Sequence, residues 1–316
     1  MITTGQATTA ERRQSNPTAL ADTVRLKGTE HRDRGQTSKA EPLYLESLQL
    51  AEMTGFESGR AHALNCLGSI EQRRGNLEAA SRYFESALVI ATRSRELHLV
   101  GMLQQNLGVV SDIRGNSVAA RAYYRAALTT LDLIGDAGTV LKVLNNLGYL
   151  CAKEQRDDEA RSVLRRAVTM ARETGDLMSE GIIEENRAEL ELSVGDIEAA
   201  YPSIDRALSI ADGRDDTMRY ASALKLSAEI RRLLGDVRGA VDTLQHAIAL
   251  CGRSEDALLN AELLYRFGCA TWALGDEQSA RDVLRTALCQ FERIAARRWV
   301  GRVHRRLAEG TTGRYC

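Results

Sequence analysis

A small residue returns at every fortieth position of this chain: Gly28, Gly68, Gly108 and Gly148, then Ala188 and Ala228, then Gly268. No insertion interrupts the period. A unit of this size cannot bury an apolar face alone, whereas stacked neighbours bury a continuous one, so 316 residues that would otherwise suggest two domains are expected to form one repeat array. The chain holds three prolines and only 5% aromatic residues, a composition that favours helices over strands.

Cutting the sequence at 21, 61, 101, 141, 181, 221 and 261 gives seven units that can be read by position. Position 20 is alanine throughout: Ala40, Ala80, Ala120, Ala160, Ala200, Ala240 and Ala280. Position 24 is large and apolar: Tyr44, Phe84, Tyr124, Leu164, Ile204, Leu244 and Leu284. Position 27 is Ser47, then Ala87, Ala127, Ala167, Ala207, Ala247 and Ala287. These spacings place all three positions on one helix face, where small residues let neighbouring helix axes approach and the larger one fills the space beside them.

Position 15 supplies a turn within the unit, as in Gly35, Gly75, Gly115, Gly195, Gly235 and Gly275, usually followed by an Asn or Asp able to cap the next helix. A second turn closes several units at Gly55, Gly135 and Gly175. Repeat four departs from the pattern with Gln155 in the glycine position. Either Gln155 takes the left-handed conformation, at about 1 kcal/mol, or the turn changes shape.

The small residue at 8, the alanines at 20 and 27 and the large residue at 24 resemble the tetratricopeptide repeat, over about Leu20 to Val300. The 40-residue period and the Leu144-Asn145-Asn146-Leu147-Gly148 run are similar to the long-helix variant of kinesin light chains and of the sensor arms of MalT/AfsR-type bacterial regulators. The resemblance implies an all-α, right-handed α-solenoid, a superhelix of about seven helix-turn-helix repeats. The expected organisation is a polar tail at 1–18, a solenoid over 19–297, a capping helix at 298–309 and a tail at 310–316. Trp299, Val303 and Leu307 give that last helix an apolar side with which to cover the final repeat.

The resemblance also implies that the first helix of each unit lines a concave groove through positions 2, 5, 6, 9, 12 and 13. Asn106, Asn146 and Asn186 share position 6, and Asn65, Gln105 and Asn145 share position 5, so a ladder of amides is expected along that groove. Such amides can bond a peptide main chain, or else bond neighbouring helices. Tyr149, Glu185, Glu189, Lys225, Arg232, Tyr265 and Trp272 complete the expected lining, acidic in repeat five and mixed basic and aromatic beyond it. Exposed aromatics are favoured anchors, although packing against the capping helix would account for Tyr265 and Trp272 as well.

The favoured reading is a non-enzymatic scaffold or adaptor that binds a protein or peptide in the groove. A ligand- or peptide-sensing module of a bacterial regulatory system is the alternative, and an enzyme with a pocket in the groove is a third, less supported one. No cofactor and no metal is expected: His62 and Cys66 stand four apart on one helix with no further ligand placed near them, and no phosphate-binding glycine loop occurs. A formal net charge of −1 argues against a nucleic-acid or membrane-coating protein. Scattered cysteines without a CxxC, and no apolar segment of membrane-spanning length, suggest a cytoplasmic location. A homo-oligomer is left open.

Overall fold

Helix follows helix along the whole described chain, each 13 to 18 residues long. The computed structural model describes residues 17–251, 256–294 and 296–309. The helices are α1 (Pro17–Asp33), α2 (Thr37–Thr54), α3 (Glu57–Arg73), α4 (Leu77–Arg93), α5 (Leu97–Ile113), α6 (Ser117–Ile134), α7 (Ala137–Lys153), α8 (Asp157–Thr174), α9 (Leu177–Ser193), α10 (Ile197–Asp212), α11 (Thr217–Leu233), α12 (Val237–Cys251), α13 (Ala257–Ala273), α14 (Glu277–Arg293) and α15 (Arg297–Glu309). The expected tails at 1–16 and 310–316 lie outside the described residues. Pro17 opens α1 as a first-turn proline does.

The chain divides between Glu154 and Gln155 into two compact units. In the first, α1–α2, α3–α4 and α5–α6 form antiparallel pairs followed by α7; in the second, α8 precedes the pairs α9–α10, α11–α12 and α13–α14, and α15 packs on α14. Each first helix also touches the first helix of the next repeat, α1 on α3, α3 on α5 and α5 on α7 in one unit, and α9 on α11 and α11 on α13 in the other. Among the described residues, second helices make no comparable contact. First helices therefore form the inner layer of each unit.

One backbone device sets this regularity. A residue with positive φ recurs every 20 positions from Gly35 to Gly235, and again at Gly275. At each glycine of the series from Gly35 to Gly235 its own amide and the next one fold back in the same way: Gly75 N–H donates to Gln72 O at 3.0 Å and Asn76 N–H to Glu71 O at 2.9 Å, the paired bonds of a Schellman stop. Three members of the series are not glycine: Arg95 at φ 58°, Gln155 at φ 58° and Asp215 at φ 52°. Gln155 thus meets the missing glycine by taking the left-handed conformation itself. Gln155→Gly should raise the unfolding free energy by about 1 kcal/mol, because glycine adopts that region without a Cβ clash. Chemical denaturation of the two proteins measures it, and an unchanged or lower midpoint for the glycine form would count against strain at this turn.

Past the turn, Asn116, Asp136, Asp176, Asp196, Asp216, Asp236, Asp256 and Asp276 each accept a bond from the backbone N–H three residues on, as N-caps do. Asn76 does not cap; its Nδ2 donates to Glu71 Oε2 at 2.8 Å.

Position 8 is small because of position 24. A Cβ on Gly28 would stand 2.8 Å from the Tyr44 ring, on Gly68 2.6 Å from Phe84, on Gly108 2.5 Å from Tyr124 and on Gly268 2.8 Å from Leu284. In repeats five and six Ala188 and Ala228 share buried clusters with Ile204 and Leu244. Side-chain type at position 24 does not by itself set the choice, since Leu284 stands against Gly268 as Leu244 does against Ala228. Ser47 is the polar exception at position 27, and its hydroxyl donates to Ala21 O at 2.8 Å within the core.

Candidate functional site

The inner layer carries the residues expected to bind a partner, and much of their bonding capacity is used within the protein. Asn65 is buried, and its Oδ1 accepts from Asn106 Nδ2 at 3.0 Å, joining position 5 of α3 to position 6 of α5. Asn145 and Asn186 are engaged in interactions as well. Gln105 and Asn146 are half-buried, and Tyr149 on α7 is 46% exposed. In the first unit the amides therefore act at least partly as rungs between adjacent helices. They satisfy one another where an unpaired buried amide would cost more than 1 kcal/mol.

The acidic lining expected in repeat five is corrected by the structure. Glu185 is buried, with Oε2 accepting from Ser222 Oγ of α11 at 2.7 Å, and burial pushes its carboxyl up. Glu189 alone of the two expected acids is exposed. Glu180 and Glu184, one helical turn apart on α9, are each 1% exposed. Their register elsewhere is mostly apolar: Val100 and Val140 match Glu180, while Leu64, Leu144 and Leu224 match Glu184.

Three arginines compensate these carboxylates. Arg172 of α8 bridges both, donating through Nε to Glu180 Oε1 and through Nη2 to Glu184 Oε1, each at 2.8 Å. Arg206 of α10 clamps Glu180 with two bonds of 2.9 Å, and Arg187 donates to Glu184 Oε2 at 2.9 Å. The Arg206 guanidinium, supported by Arg172, holds the Glu180 carboxyl below its ordinary 4.5 despite the opposing effect of burial. The result is an ionic knot tying α8, α9 and α10, its carboxylates covered and its guanidinium groups partly in solvent. Nothing in the 40-residue pattern announced it, because charged side chains at apolar register positions read equally well as surface acids.

Further along, Lys225 meets Glu262 at 2.5 Å, and Glu229 receives both Arg232 at 2.8 Å and Arg266 at 3.0 Å. Burial opposes these bonds, yet the two arginines hold the Glu229 carboxyl low. Tyr265 packs edge-on against Trp299 of α15, and Trp272 is buried beneath it in the same apolar cluster. The exposed-anchor expectation for Trp272 gives way to packing under the cap.

What stays open on the inner layer of the second unit is a cleft of about 290 Å³ between α11 and α13. Arg219, Ser222 and Lys225 recur at three-residue intervals along its α11 wall, and Asp256 and Glu262 stand on the α13 side. Met218, Leu258 and Leu259 supply apolar surface, with Leu258 44% exposed. Arg219, Leu258 and Glu262 were not among the residues expected from the sequence. Position 2, which Glu262 shares with Ser222, belonged to the expected lining, whereas positions 38 and 39, which hold Leu258 and Arg219, carry no residue type that recurs through the repeats and could have signalled them. Such a surface can hold an apolar side chain and bond the polar groups flanking it.

Cys66, Cys151 and Cys251 are buried, Cys269 is half-buried and Cys289 exposed; Cys316 lies outside the described residues. Burial pushes the Cys66 thiol up, the opposite of what a nucleophile or metal ligand needs. Among the described residues no group of three or more His, Cys, Asp or Glu could hold a metal ion, and no helix is long and apolar enough to cross a membrane.

Tetratricopeptide repeat family models match residues 59–133 and 141–174. Among solved structures, a signal transduction ATPase with numerous domains and a tetratricopeptide repeat sensor, from Pyrococcus horikoshii, is 16% identical with a TM-score of 0.71, covering 92% of this chain and 44% of that one. The chain therefore spans less than half of that protein. Aspartyl phosphate phosphatase F from Bacillus subtilis is 10% identical, TM-score 0.66, over 89% of this chain and 73% of that one. A Rap protein complexed with competence and sporulation factor is 13% identical, TM-score 0.59, over 94% and 98%. No protein of curated function matches the sequence. The register of small and large positions and the paired helices agree with these two matches: residues 59–133 and 141–174 carry tetratricopeptide repeats, and the described residues form an all-α array of helix pairs in each unit.

Proposed function

We propose that this protein is a non-enzymatic scaffold that binds a peptide or protein segment on its inner layer, and that in the second unit the α11–α13 cleft receives it. The observation that carries this reading is the cleft itself, with exposed Leu258 beside walls of opposite charge. An apolar anchor residue of the ligand enters beside Leu258, Leu259 and Met218. The walls favour one chain direction, because reversing a charged ligand sets like charges together. Exposed Glu189 on the inner layer of the second unit, and exposed Tyr149 with half-buried Gln105 and Asn146 on that of the first, offer further contacts within each unit.

A peptide-sensing role in a regulatory system is the second reading. It is supported by the likeness to a sensor-bearing ATPase and to a Rap protein complexed with competence and sporulation factor. Binding of the partner would then bias a protein attached to or associated with the array.

Leu258→Glu tests the cleft, because that side chain is half out in solvent and its loss leaves the core intact. Partners captured by the wild-type protein and identified by mass spectrometry should bind the variant at least about tenfold more weakly, a loss of about 1.4 kcal/mol. Undiminished capture by a variant with unchanged helicity would place the binding surface elsewhere.

A further inference from the structure

We propose that the solvent face of α15 is a docking surface for an acidic protein segment, separate from the inner-layer cleft. The helix carries five arginines and one histidine against a single glutamate. Its inward side is accounted for: Val303 is fully buried, and Trp299 stacks on Phe291 at 5.2 Å. Arg302 lies 4.8 Å over the Trp299 ring, and Arg306 lies 4.7 Å over Trp272, which also carries Arg281 at 4.8 Å. Arg306 is only 4% exposed and its Nε has no hydrogen-bond partner. On this side the charges of Arg302 and Arg306 are therefore met by aromatic faces, with no carboxylate paired to them among the described residues.

The outward side repeats the theme. Arg293, at the end of α14, and Arg297, Arg298, His304 and Arg305 are exposed, and among the described residues none of these arginines pairs with an acid. The nearest ion pairs are Arg281–Glu277 and Arg285–Asp282, within α14. Arginines elsewhere in the same unit are largely spent on carboxylates, as Arg161 is on Glu191 and Arg206 on Glu180. Gly301 lies amid the basic residues, and a Cβ there would meet nothing within 4 Å. Internal packing does not demand this glycine, which costs a helix about 1 kcal/mol. It leaves the backbone open to close approach between arginines at helical spacing.

The extent of the patch favours a protein ligand over a nucleic acid. Thirteen residues of helix span about 20 Å, and exposed Glu277, Asp282 and Glu292 on α14 would repel a phosphate backbone running beyond it. A short segment bearing two or three carboxylates fits within it, and guanidinium groups bind carboxylates through paired hydrogen bonds.

Fluorescence anisotropy with labelled oligoglutamate and the full chain provides the test. The wild-type protein should bind at low salt and weaken as salt rises. Arg297→Ala/Arg298→Ala/Arg305→Ala, whose altered side chains are exposed and whose helicity is checked by circular dichroism, should bind at least about tenfold more weakly. Leu258→Glu should leave this binding unchanged, which separates the patch from the cleft. The proposal is overturned if oligoglutamate does not bind, if the triple variant binds as well as the wild type, or if duplex DNA displaces the peptide at lower concentration than unlabelled oligoglutamate does.

Discussion

Replacing Arg172 with alanine should lower the unfolding free energy of the second unit by about 1–3 kcal/mol, since it strips charged hydrogen bonds from two carboxylates at once. Glu180 would keep Arg206 and Glu184 would keep Arg187, and because the Arg172 side chain is half in solvent, water would reach the oxygens it leaves. Removing both acids has a different cost. Glu180→Leu/Glu184→Leu restores the aliphatic character that other repeats have at these positions, and it should come out near neutral or more stable, because desolvation of the charges disappears with them. Urea denaturation of the three proteins decides the matter: similar losses in the single and double variants would mean that the knot contributes net stability.

Acidity gives the same test a second axis. The Glu180 carboxyl sits lower in the folded state than its ordinary 4.5, so its contribution is complete above that value and is lost as pH falls through the folded pKa. The wild-type melting temperature should consequently drop more steeply below about pH 4.5 than that of the double leucine variant.

Gly68→Ala should cost about 1–3 kcal/mol, the price of overpacking a close-packed core. Its Cβ would fall 2.6 and 2.7 Å from two ring carbons of Phe84, and Phe84 is fully buried with no free direction to move. The same methyl should be tolerated once the ring is gone. Phe84→Leu alone is expected to leave a gap, and Gly68→Ala/Phe84→Leu to recover part of the combined loss, as the natural pairs Ala188 with Ile204 and Ala228 with Leu244 imply. Thermal melts of the double-mutant cycle read the coupling directly; strict additivity would show that the two positions do not share a space.

These two sites also mark how far the sequence could be read. The repeat was legible because its determinants are local: position 8 meets position 24 within one unit, and a left-handed residue closes each helix, so periodicity reports both. Even Gln155 was readable as a turn under strain. The inner-layer chemistry was less legible, since it depends on which side chains of adjacent repeats find each other. Asn65 and Asn106 look like ligand-binding amides until their mutual bond is seen. Glu184 and Glu185 look like a surface cluster until Arg172, Arg187 and Ser222 are placed around them. Trp272 looked like an anchor, and its environment depends on α15, which lies outside the repeat and outside its rules.

The uniform 20-residue interval between left-handed turns bears on how such a chain can change in evolution. Because the stop that ends a first helix is built like the stop that ends a second one, cutting or duplicating whole repeats joins like to like. Repeats one, two, three and seven, moreover, each bring their own matched pair at positions 8 and 24. Recombination between repeats can therefore lengthen or shorten the molecule without inventing a junction, leaving selection free to act on individual inner-layer side chains and on the terminal helix.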